Sequence, residues 1–230
     1  ADRNMIIATL LYQICSDDYF SLEDVKAEFG DDVRSIIHGL KNVADLYKKQ
    51  TTQRDENFSK LMMAFAENIR VIIIMIVDRL ALMKAINHHP NQKFVFDIAS
   101  ESLYLYAPLA HRLGLYKIKS ELEDMSLKYT NRDLYTQIAH KLNESKQERD
   151  KYIAEFIAPI KKKLEDDGFK FEIKGRTKSI YSIWNKMRKQ NAELKDIYDL
   201  FAIRIIIDTP LKNERSDCWK AFAIVTDMFK

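Results

Sequence analysis

Residues 174–187 read KGRTKSIYSIWNKM, and residues 196–204 read DIYDLFAIR. In the first stretch, a basic loop around Gly175 leads into a helix. The apolar stripe of this helix has the spacing i, i+3, i+4, i+7 and consists of Ile180, Ile183, Trp184 and Met187. In the second stretch, an acidic residue precedes an apolar strand. The two stretches together predict a strand–helix–strand unit.

Alternating side chains define both strands. Before the helix, Phe169, Phe171 and Ile173 alternate with charged residues, the period-two pattern of a half-buried strand that we expect Gly175 to end. In the second strand, one side is formed by Phe201, Ile203, Ile205 and Ile207. The other side is formed by Ala202, Arg204, Ile206 and Asp208.

A polar row runs along the predicted helix, at steps of four, four and three residues, through Lys178, Ser182, Lys186 and Lys189. Helix N-termini favour anions because of their unbonded N–H groups and the helix dipole, so a polyphosphate could lie along this row. The alternative is a solvated cationic face, which is what most charged rows are. The G-x-x-x-x-G-K-[ST] phosphate-binding motif is absent.

Two residues beside the second strand suggest nucleotide chemistry. Asp199 precedes the strand, and Mg²⁺ needs only one or two carboxylates beside phosphate oxygens and water. Arg204 could stack its planar guanidinium on a base. The alternative makes Asp199 a turn or capping residue and Arg204 a charge on an edge strand.

These stretches resemble the opening of the synthetase domain of the RelA/SpoT family, which moves pyrophosphate from ATP to the 3′-hydroxyl of GDP or GTP. The resemblance implies that Arg176 and Arg204 clamp adenine, and that Asp199 is catalytic and binds Mg²⁺. It implies ATP-phosphate contacts by Lys178, Ser182, Lys186 and Lys189. The family's second catalytic carboxylate and its guanine-stacking tyrosine would lie beyond residue 230.

The N-terminal third resembles the family's HD-type hydrolase domain, but the metal-binding motif differs. Where the family has A-x-L-L-H-D-V-V-E-D-T, residues 8–18 read ATLLYQICSDD. Tyr12, Gln13 and Ser16 thus replace a metal histidine, a metal aspartate and a catalytic glutamate, and Asp17 follows them. Where the family has A-D-R-L-H-N-M, residues 77–83 read VDRLALM.

Asp78 therefore remains as a candidate metal ligand, and Leu82 stands at the asparagine position. One aspartate cannot supply a Mn²⁺ site, so we expect no Mn²⁺ and an inactive hydrolase centre. The helical fold should persist, because an apolar stripe remains at Ile6, Ile7, Leu10, Leu11 and Ile14.

Residues 106–114 (YAPLAHRLG) and 118–124 (IKSELED) resemble the family's connector between the two domains. We interpret His111 as structural, since no second ligand stands at a metal spacing around it. The resemblance predicts a mostly α-helical, degenerate HD-type hydrolase domain with a helical connector over residues 1–130. Residues 131–230 would be the truncated N-terminal part of an α/β (α+β) nucleotidyltransferase-like synthetase domain.

Composition agrees with long helices, because the chain has only 5 Gly and 4 Pro in 230 residues. A net charge of +3 is too small to suggest general nucleic-acid binding. Two cysteines without metal spacing suit a cytoplasmic protein. The longest apolar run, residues 71–77, is far short of the roughly twenty residues that a membrane span needs, so we expect a buried helix and no membrane partner.

Local signals predict the helix boundaries. Residues 21–24 have the pattern of a capping box. Further helices are expected at 57–87, 93–129 with a bend at Pro108, 131–142, 144–166 with Gly168 as its stop, and 216–230. Because two strands do not form a stable sheet alone, we expect a fragment cut at both ends.

Three functional hypotheses follow. The first is a fragment of a GTP diphosphokinase using Mg²⁺, ATP and GDP or GTP in the stringent response, inactive alone because its second carboxylate is missing. Ribosome or tRNA binding would require domains outside this chain. The alternatives are a (p)ppGpp 3′-pyrophosphohydrolase, disfavoured by Tyr12, Gln13 and Ser16, and a non-catalytic nucleotide-binding or regulatory module.

Overall fold

The structure is a computed structural model that describes residues 2–16, 19–48, 68–144, 146–197 and 200–229. The predicted fold class is confirmed, since the described chain is mostly helical with one small two-stranded sheet near its C-terminal end. The chain divides into two compact units, Ala1–Thr130 and Asn131–Lys230. Over the ranges described, no helix combines the length and the apolar character needed to cross a membrane.

The first unit is helical throughout its described part. Its α-helices are α1 (Arg3–Ser16), α2 (Leu22–Phe29), α3 (Asp31–Lys48), α4 (Ile69–Ala85), α5 (Gln92–Glu101), α6 (Ala107–Arg112) and α7 (Tyr116–Thr130). A 3₁₀ turn (Ile86–His88) follows α4, and a π-helical segment (Ser102–Tyr106) joins α5 to α6. Helices α1 and α2 pack against α3, whereas α4, α5 and α6 pack against α7.

Two predictions for this unit are confirmed. The Ser21 hydroxyl accepts the Asp24 N–H at 3.1 Å, and the Asp24 carboxylate accepts the Ser21 N–H at 3.2 Å, which is the predicted capping box of α2. The apolar run 71–77 lies in α4, where Val71 and Ile76 are fully buried. Of the helix predicted for 57–87, residues 57–67 lie outside the described part, and α4 begins after Asn68, which caps the Arg70 N–H.

The predicted apolar stripe of α1 is wrong about its buried face. Met5, Ala8 and Cys15 are the buried residues of this helix, whereas Ile6, Leu10 and Ile14 are 53%, 71% and 45% exposed. Ile7 and Leu11 pack partly against the core. Because α1 is apolar on most of its circumference, its sequence period does not specify a face, and packing against α3 selects it.

The single bent helix predicted for residues 93–129 is also wrong. Pro108 lies in the first turn of α6, where its missing N–H is not needed. The irregularity precedes it, because the Ala107 N–H bonds the Ser102 carbonyl, five residues back. After α6 the chain breaks at Gly114 (φ 72°), where the Leu115 N–H bonds the Ala110 carbonyl at 2.8 Å in a Schellman ending.

The second unit contains both strands. Its α-helices are α8 (Arg132–Glu144), α9 (Lys146–Asp166), α10 (Ile180–Gln190) and α11 (Glu214–Met228), and its strands are β1 (Phe171–Thr177) and β2 (Phe201–Ile207). Short 3₁₀ turns lie at Leu194–Asp196 and Leu211–Asn213. One apolar cluster joins α9, α11 and the inner face of the sheet, and a second joins α8 to α10.

Gly168 ends α9 as predicted. Its φ of 77° is the left-handed conformation that glycine adopts most readily. The Gly168 N–H bonds the Glu165 carbonyl, and the Phe169 N–H bonds the Leu164 carbonyl, both at 3.0 Å. Phe169 and Leu164 also share the apolar cluster under the sheet, so this helix ending directs the chain into β1.

An ion pair between helix starts predicts how stability depends on pH. Arg70, at the start of α4, donates to Asp32, at the start of α3, at 2.7 Å, and Asn4 donates to the same carboxylate at 2.6 Å. The hydrogen bond from Arg70, and to a lesser extent the one from Asn4, lowers the pKa of Asp32 to about 2. The lowered pKa means that this contribution is fully present above the unfolded pKa of about 4 and is lost as the pH falls towards 2.

Asp32→Asn should therefore remove part of the loss of stability between pH 4 and 2, measured by thermal unfolding. At neutral pH it should cost no more than about 1 kcal/mol, because the Asp32 side chain is 46% exposed and solvent screens the pair. Asp97→Asn, an exposed aspartate on α5, serves as the control. If the two variants show the same pH profile, the Arg70–Asp32 pair does not stabilise the fold.

Candidate functional sites

The antiparallel pairing of β1 with β2 forms the first candidate site. In the register, Lys174 lies opposite Arg204, Gly175 opposite Ile203, and Arg176 opposite Ala202. The inner face of the sheet, including Ile173 and Ile205, packs on the apolar cluster of α9 and α11, as the predicted alternation requires. The side chains of Lys174 and Arg204 are exposed on the other face.

Gly175 does not end β1, contrary to the prediction. The strand continues to Thr177, so the backbone of Arg176 lies in the sheet and not in a loop at the start of α10. A Cβ at position 175 would lie 3.1 Å from the Ile153 Cγ2 atom of α9, so glycine here permits close packing of helix and strand. The sequence alone could not show that Ile153 packs against Gly175.

The two motif stretches meet where β1 leaves the sheet. The Lys178 N–H donates to the Leu200 carbonyl at 2.9 Å, one hydrogen bond beyond the last paired residues, Thr177 and Phe201. Leu200 is the residue directly after Asp199, and Asp199 itself lies outside the described residues. The backbone therefore brings the start of the polar row next to Leu200.

Helix α10 positions the rest of the row. Ser179 is its N-cap, and the Ser179 hydroxyl donates to the Ser182 hydroxyl at 2.8 Å and accepts the Ser182 N–H at 3.3 Å. Lys178, Ser182 and Lys186 are half-buried, whereas Lys189 is exposed. The predicted apolar stripe of α10 is confirmed, since Ile183 is fully buried and packs against α8.

A second candidate site lies in the N-terminal unit, as a cavity of about 370 Å³. Four positions of the hydrolase pattern line this cavity. Asp78 matches the pattern, whereas Tyr12, Gln13 and Leu82 replace its residues. The side chains of Leu40, Ile74 and Met75 contribute apolar wall. Ser16 is half-buried at the end of α1 and is not among the lining residues, and Asp17 lies outside the described residues.

A polar cluster that the sequence did not predict lies beside this cavity, and its members Arg79 and Tyr106 are buried. Arg79 forms an ion pair with Glu101 at 2.8 Å and donates to the Tyr106 hydroxyl at 3.0 Å. Its guanidinium also lies 4.2 Å from the centre of the Tyr106 ring. The π-helical segment ends at Tyr106, which lines the cavity. The only signal in the sequence was a charged residue within an apolar helix.

Among the described residues that line the cavity, the ligand set of a metal centre is incomplete. Of the described residues that line it, Asp78 is the one carboxylate, and none is a histidine or cysteine. In the described part of the chain, no three His, Cys, Asp or Glu residues are grouped so that they could hold a metal ion. His111 is exposed, and its ring contacts that of Tyr116 edge to face, with centroids 5.5 Å apart.

Comparison with known proteins finds matches along the whole chain. Residues 1–116 match the HD domain family, and residues 175–230 match the region found in RelA/SpoT proteins. Over its full length the chain is 34% identical to a guanosine-3′,5′-bis(diphosphate) 3′-pyrophosphohydrolase of Aquifex aeolicus (strain VF5), of which it covers 32%.

Two further relatives are named GTP pyrophosphokinase. The chain is 35% identical over its full length to a GTP pyrophosphokinase of Myxococcus xanthus, of which it covers 30%. It is 31% identical, over 97% of its length, to a GTP pyrophosphokinase of Escherichia coli (strain K12), of which it also covers 30%. The chain thus spans about a third of the length of these curated relatives.

The cavity yields a prediction about metal binding. The unsubstituted chain should not bind Mn²⁺ measurably at this site, because Asp78 alone supplies too few ligands. Tyr12→His combined with Gln13→Asp should create Mn²⁺ binding, because both side chains line the same cavity as Asp78. Isothermal titration with MnCl₂ measures this. Adding Asp78→Ala to the double variant should abolish the gain, and equal binding by all three proteins would show that these positions do not converge.

Proposed function

The chain belongs to the RelA/SpoT family, and on that premise we propose that it is the N-terminal catalytic region of a cytoplasmic GTP diphosphokinase with an inactive hydrolase-like domain. In the proposed reaction the 3′-hydroxyl oxygen of GDP or GTP attacks the β-phosphorus of ATP. The bond from that phosphorus to the α-phosphate oxygen breaks, and AMP leaves. The hydroxyl proton passes to a base that we place beyond residue 230.

The observation that carries this proposal is the 2.9 Å hydrogen bond between the Lys178 N–H and the Leu200 carbonyl. It joins the β1–α10 connection to Leu200, which follows Asp199 in the sequence, and this supports the proposal that the polar row and the metal ligand belong to one site. The Myxococcus xanthus and Escherichia coli relatives, both named GTP pyrophosphokinase, support the same activity.

In the proposed ATP half-site, the sheet binds the base and the residues before and along α10 bind the phosphates. On the sheet, Arg204 is exposed and can stack on adenine, with Arg176 as the second arginine of the clamp. The ATP phosphates would be contacted by Lys178, just before α10, and by Ser182, Lys186 and Lys189 on this helix. Positioning ATP and neutralising its phosphate charge are the contributions we assign to these residues.

We assign Mg²⁺ to Asp199. A carboxylate suits this cation, which binds one or two carboxylates together with substrate phosphates. When bound there, Mg²⁺ would neutralise phosphate charge as the bond to AMP breaks. Lys178, just before α10, and Lys186, on α10, would neutralise further phosphate charge.

A hydrolase is the alternative activity, and the name of the Aquifex aeolicus relative favours it. The cavity argues against it for this chain, because Tyr12 and Gln13 line the wall where the family pattern has a metal histidine and aspartate. We therefore propose that this domain does not release pyrophosphate from ppGpp. Restoring those two ligands should still leave hydrolysis absent, since Ser16 and Leu82 differ from the family pattern.

The proposed synthesis can be tested directly. The full-length protein, given ATP, GDP and Mg²⁺, should form ppGpp and AMP in equal amounts, as measured by nucleotide chromatography. The 230-residue chain should form neither product if the second catalytic carboxylate lies beyond residue 230. Product from the chain alone would mean that a carboxylate within it, such as Asp208, completes the site. Absence of product from the full-length protein would instead favour the non-catalytic nucleotide-binding module.

Substitutions of the phosphate-binding residues and of the base-binding residues should reduce nucleotide affinity in different ways. Lys178→Ala or Lys186→Ala should weaken ATP binding roughly ten- to a hundredfold by removing a charge-assisted phosphate contact, with much less effect on AMP. Arg176→Ala and Arg204→Ala should weaken ATP and AMP alike, since they remove base stacking. Asp199→Asn should reduce turnover more than ATP affinity. Titration with ATP, AMP and GTP in Mg²⁺ measures each ratio.

Lys195→Ala is the matched control for these titrations. Lys195 is an exposed lysine of the same unit, ion-paired with Glu193 at 3.0 Å and outside the row. It should leave both affinities unchanged. If the four cationic substitutions weaken ATP and AMP equally, the row is a general electrostatic patch, and if none has an effect, it is a solvated face.

A further inference from the structure

The outer face of the β1–β2 sheet is an open platform next to the proposed adenine clamp. Its described side chains are all exposed, and they are Glu172, Lys174, Ala202, Arg204 and Ile206. The register places Lys174 directly opposite Arg204 and Glu172 opposite Ile206. Opposite residues on one face have Cβ atoms about 5 Å apart, and diagonal neighbours about 7 Å, so a planar ring on Arg204 can reach Lys174, Glu172 and Ile206.

Glu172 and Lys174 form an ion pair on this platform. The Glu172 Oε2 atom lies 2.8 Å from the Lys174 Nζ atom, and both side chains are 58% exposed. Lys174 also faces a like charge, Arg204, across the strands, an arrangement that weakens a sheet. Glu172 offsets that repulsion. If the pair has only a structural role, this stabilisation of the sheet is its whole contribution.

The pair also presents an acceptor and a donor side by side. A carboxylate only accepts hydrogen bonds and an ammonium only donates them. The N6/N7 edge of adenine offers the complementary set, an N6–H donor next to the N7 acceptor. The corresponding edge of guanine offers two acceptors, O6 and N7, so its O6 would face the Glu172 carboxylate unfavourably.

We propose that Glu172 and Lys174 bind the edge of the base that stacks on Arg204, and that they select adenine over guanine at this site. The inference rests on the proposed function, because it requires that Arg204 holds the base of ATP. Glu172 accepts from the adenine N6 amine, and Lys174 donates to the adjacent ring nitrogen. Exposed Ile206, opposite Glu172, gives the ring an apolar contact.

The position of the pair along β1 separates its role from that of the lysine row. Lys174 precedes Lys178 by four residues, about 13 Å in an extended strand, which exceeds the Debye length at physiological ionic strength. Lys174 should therefore act on the base and not on the phosphates. Its loss should weaken ATP and AMP binding by the same factor, in contrast to loss of Lys178.

The experiment measures the affinities of the 230-residue chain for AMP, GMP, ATP and GTP. Lys174→Ala should weaken AMP and ATP equally, on the order of tenfold. Glu172→Lys presents two donors, which match the guanine edge, and should shift the AMP-to-GMP preference towards GMP by a similar factor. Glu172→Gln adds no cation to the sheet. Because an amide both donates and accepts hydrogen bonds, this variant should bind AMP and GMP with nearly equal affinity.

Glu165→Lys is the matched control, with the same charge change on α9 at a side chain that is 57% exposed and paired with Lys161. It should leave the AMP-to-GMP preference unchanged, and thermal melting verifies that every variant is folded. If the Glu172 and Glu165 variants give the same preference while the unsubstituted chain binds ATP, the pair is only a surface ion pair and this inference is wrong. If the unsubstituted chain binds no ATP, the proposed ATP half-site fails, and this inference fails with it.

Discussion

The antiparallel pairing of β1 with β2 is the constraint on which the candidate nucleotide site depends. The register sets which side chains share a face, so a shift by one residue would bury Arg204 and expose Ile205. That register is held by apolar packing of the inner face on α9 and α11 and by the close approach of Gly175 to Ile153. Beyond the paired residues, the Lys178–Leu200 hydrogen bond fixes where α10 starts relative to β2.

The same unit shows how helix endings position functional groups. The Schellman ending at Gly168 turns the chain from α9 into β1, and the Ser179 cap starts α10 within two residues of the strand. Because both connections are short and hydrogen-bonded, they fix where β1 and α10 begin. The proposed ATP half-site depends on both of these connections.

The N-terminal unit is helical and matches the HD domain family, and positions that depart from the family's metal-binding pattern line one of its cavities. Tyr12, Gln13 and Leu82 still line one cavity with Asp78, but their side chains are poor metal ligands. The Arg79–Glu101–Tyr106 cluster holds the helices around that cavity by an ion pair, a hydrogen bond and a cation–π contact. The cluster and the apolar core both contribute to the packing of the described part of this unit.

Local pattern was enough to predict the capping box at Ser21, the stop at Gly168, the stripe of α10 and the alternation of β2, because neighbouring residues alone decide these features. The sequence likewise supplied the residues of the candidate ATP site, although Asp199 lies outside the described part. Three features depended on distant neighbours: the buried face of α1, selected by α3; the passage of β1 through Gly175, allowed by Ile153; and the opposition of Lys174 to Arg204. Only the tertiary structure decided these, because periodicity along one segment carries no information about which partner that segment packs against.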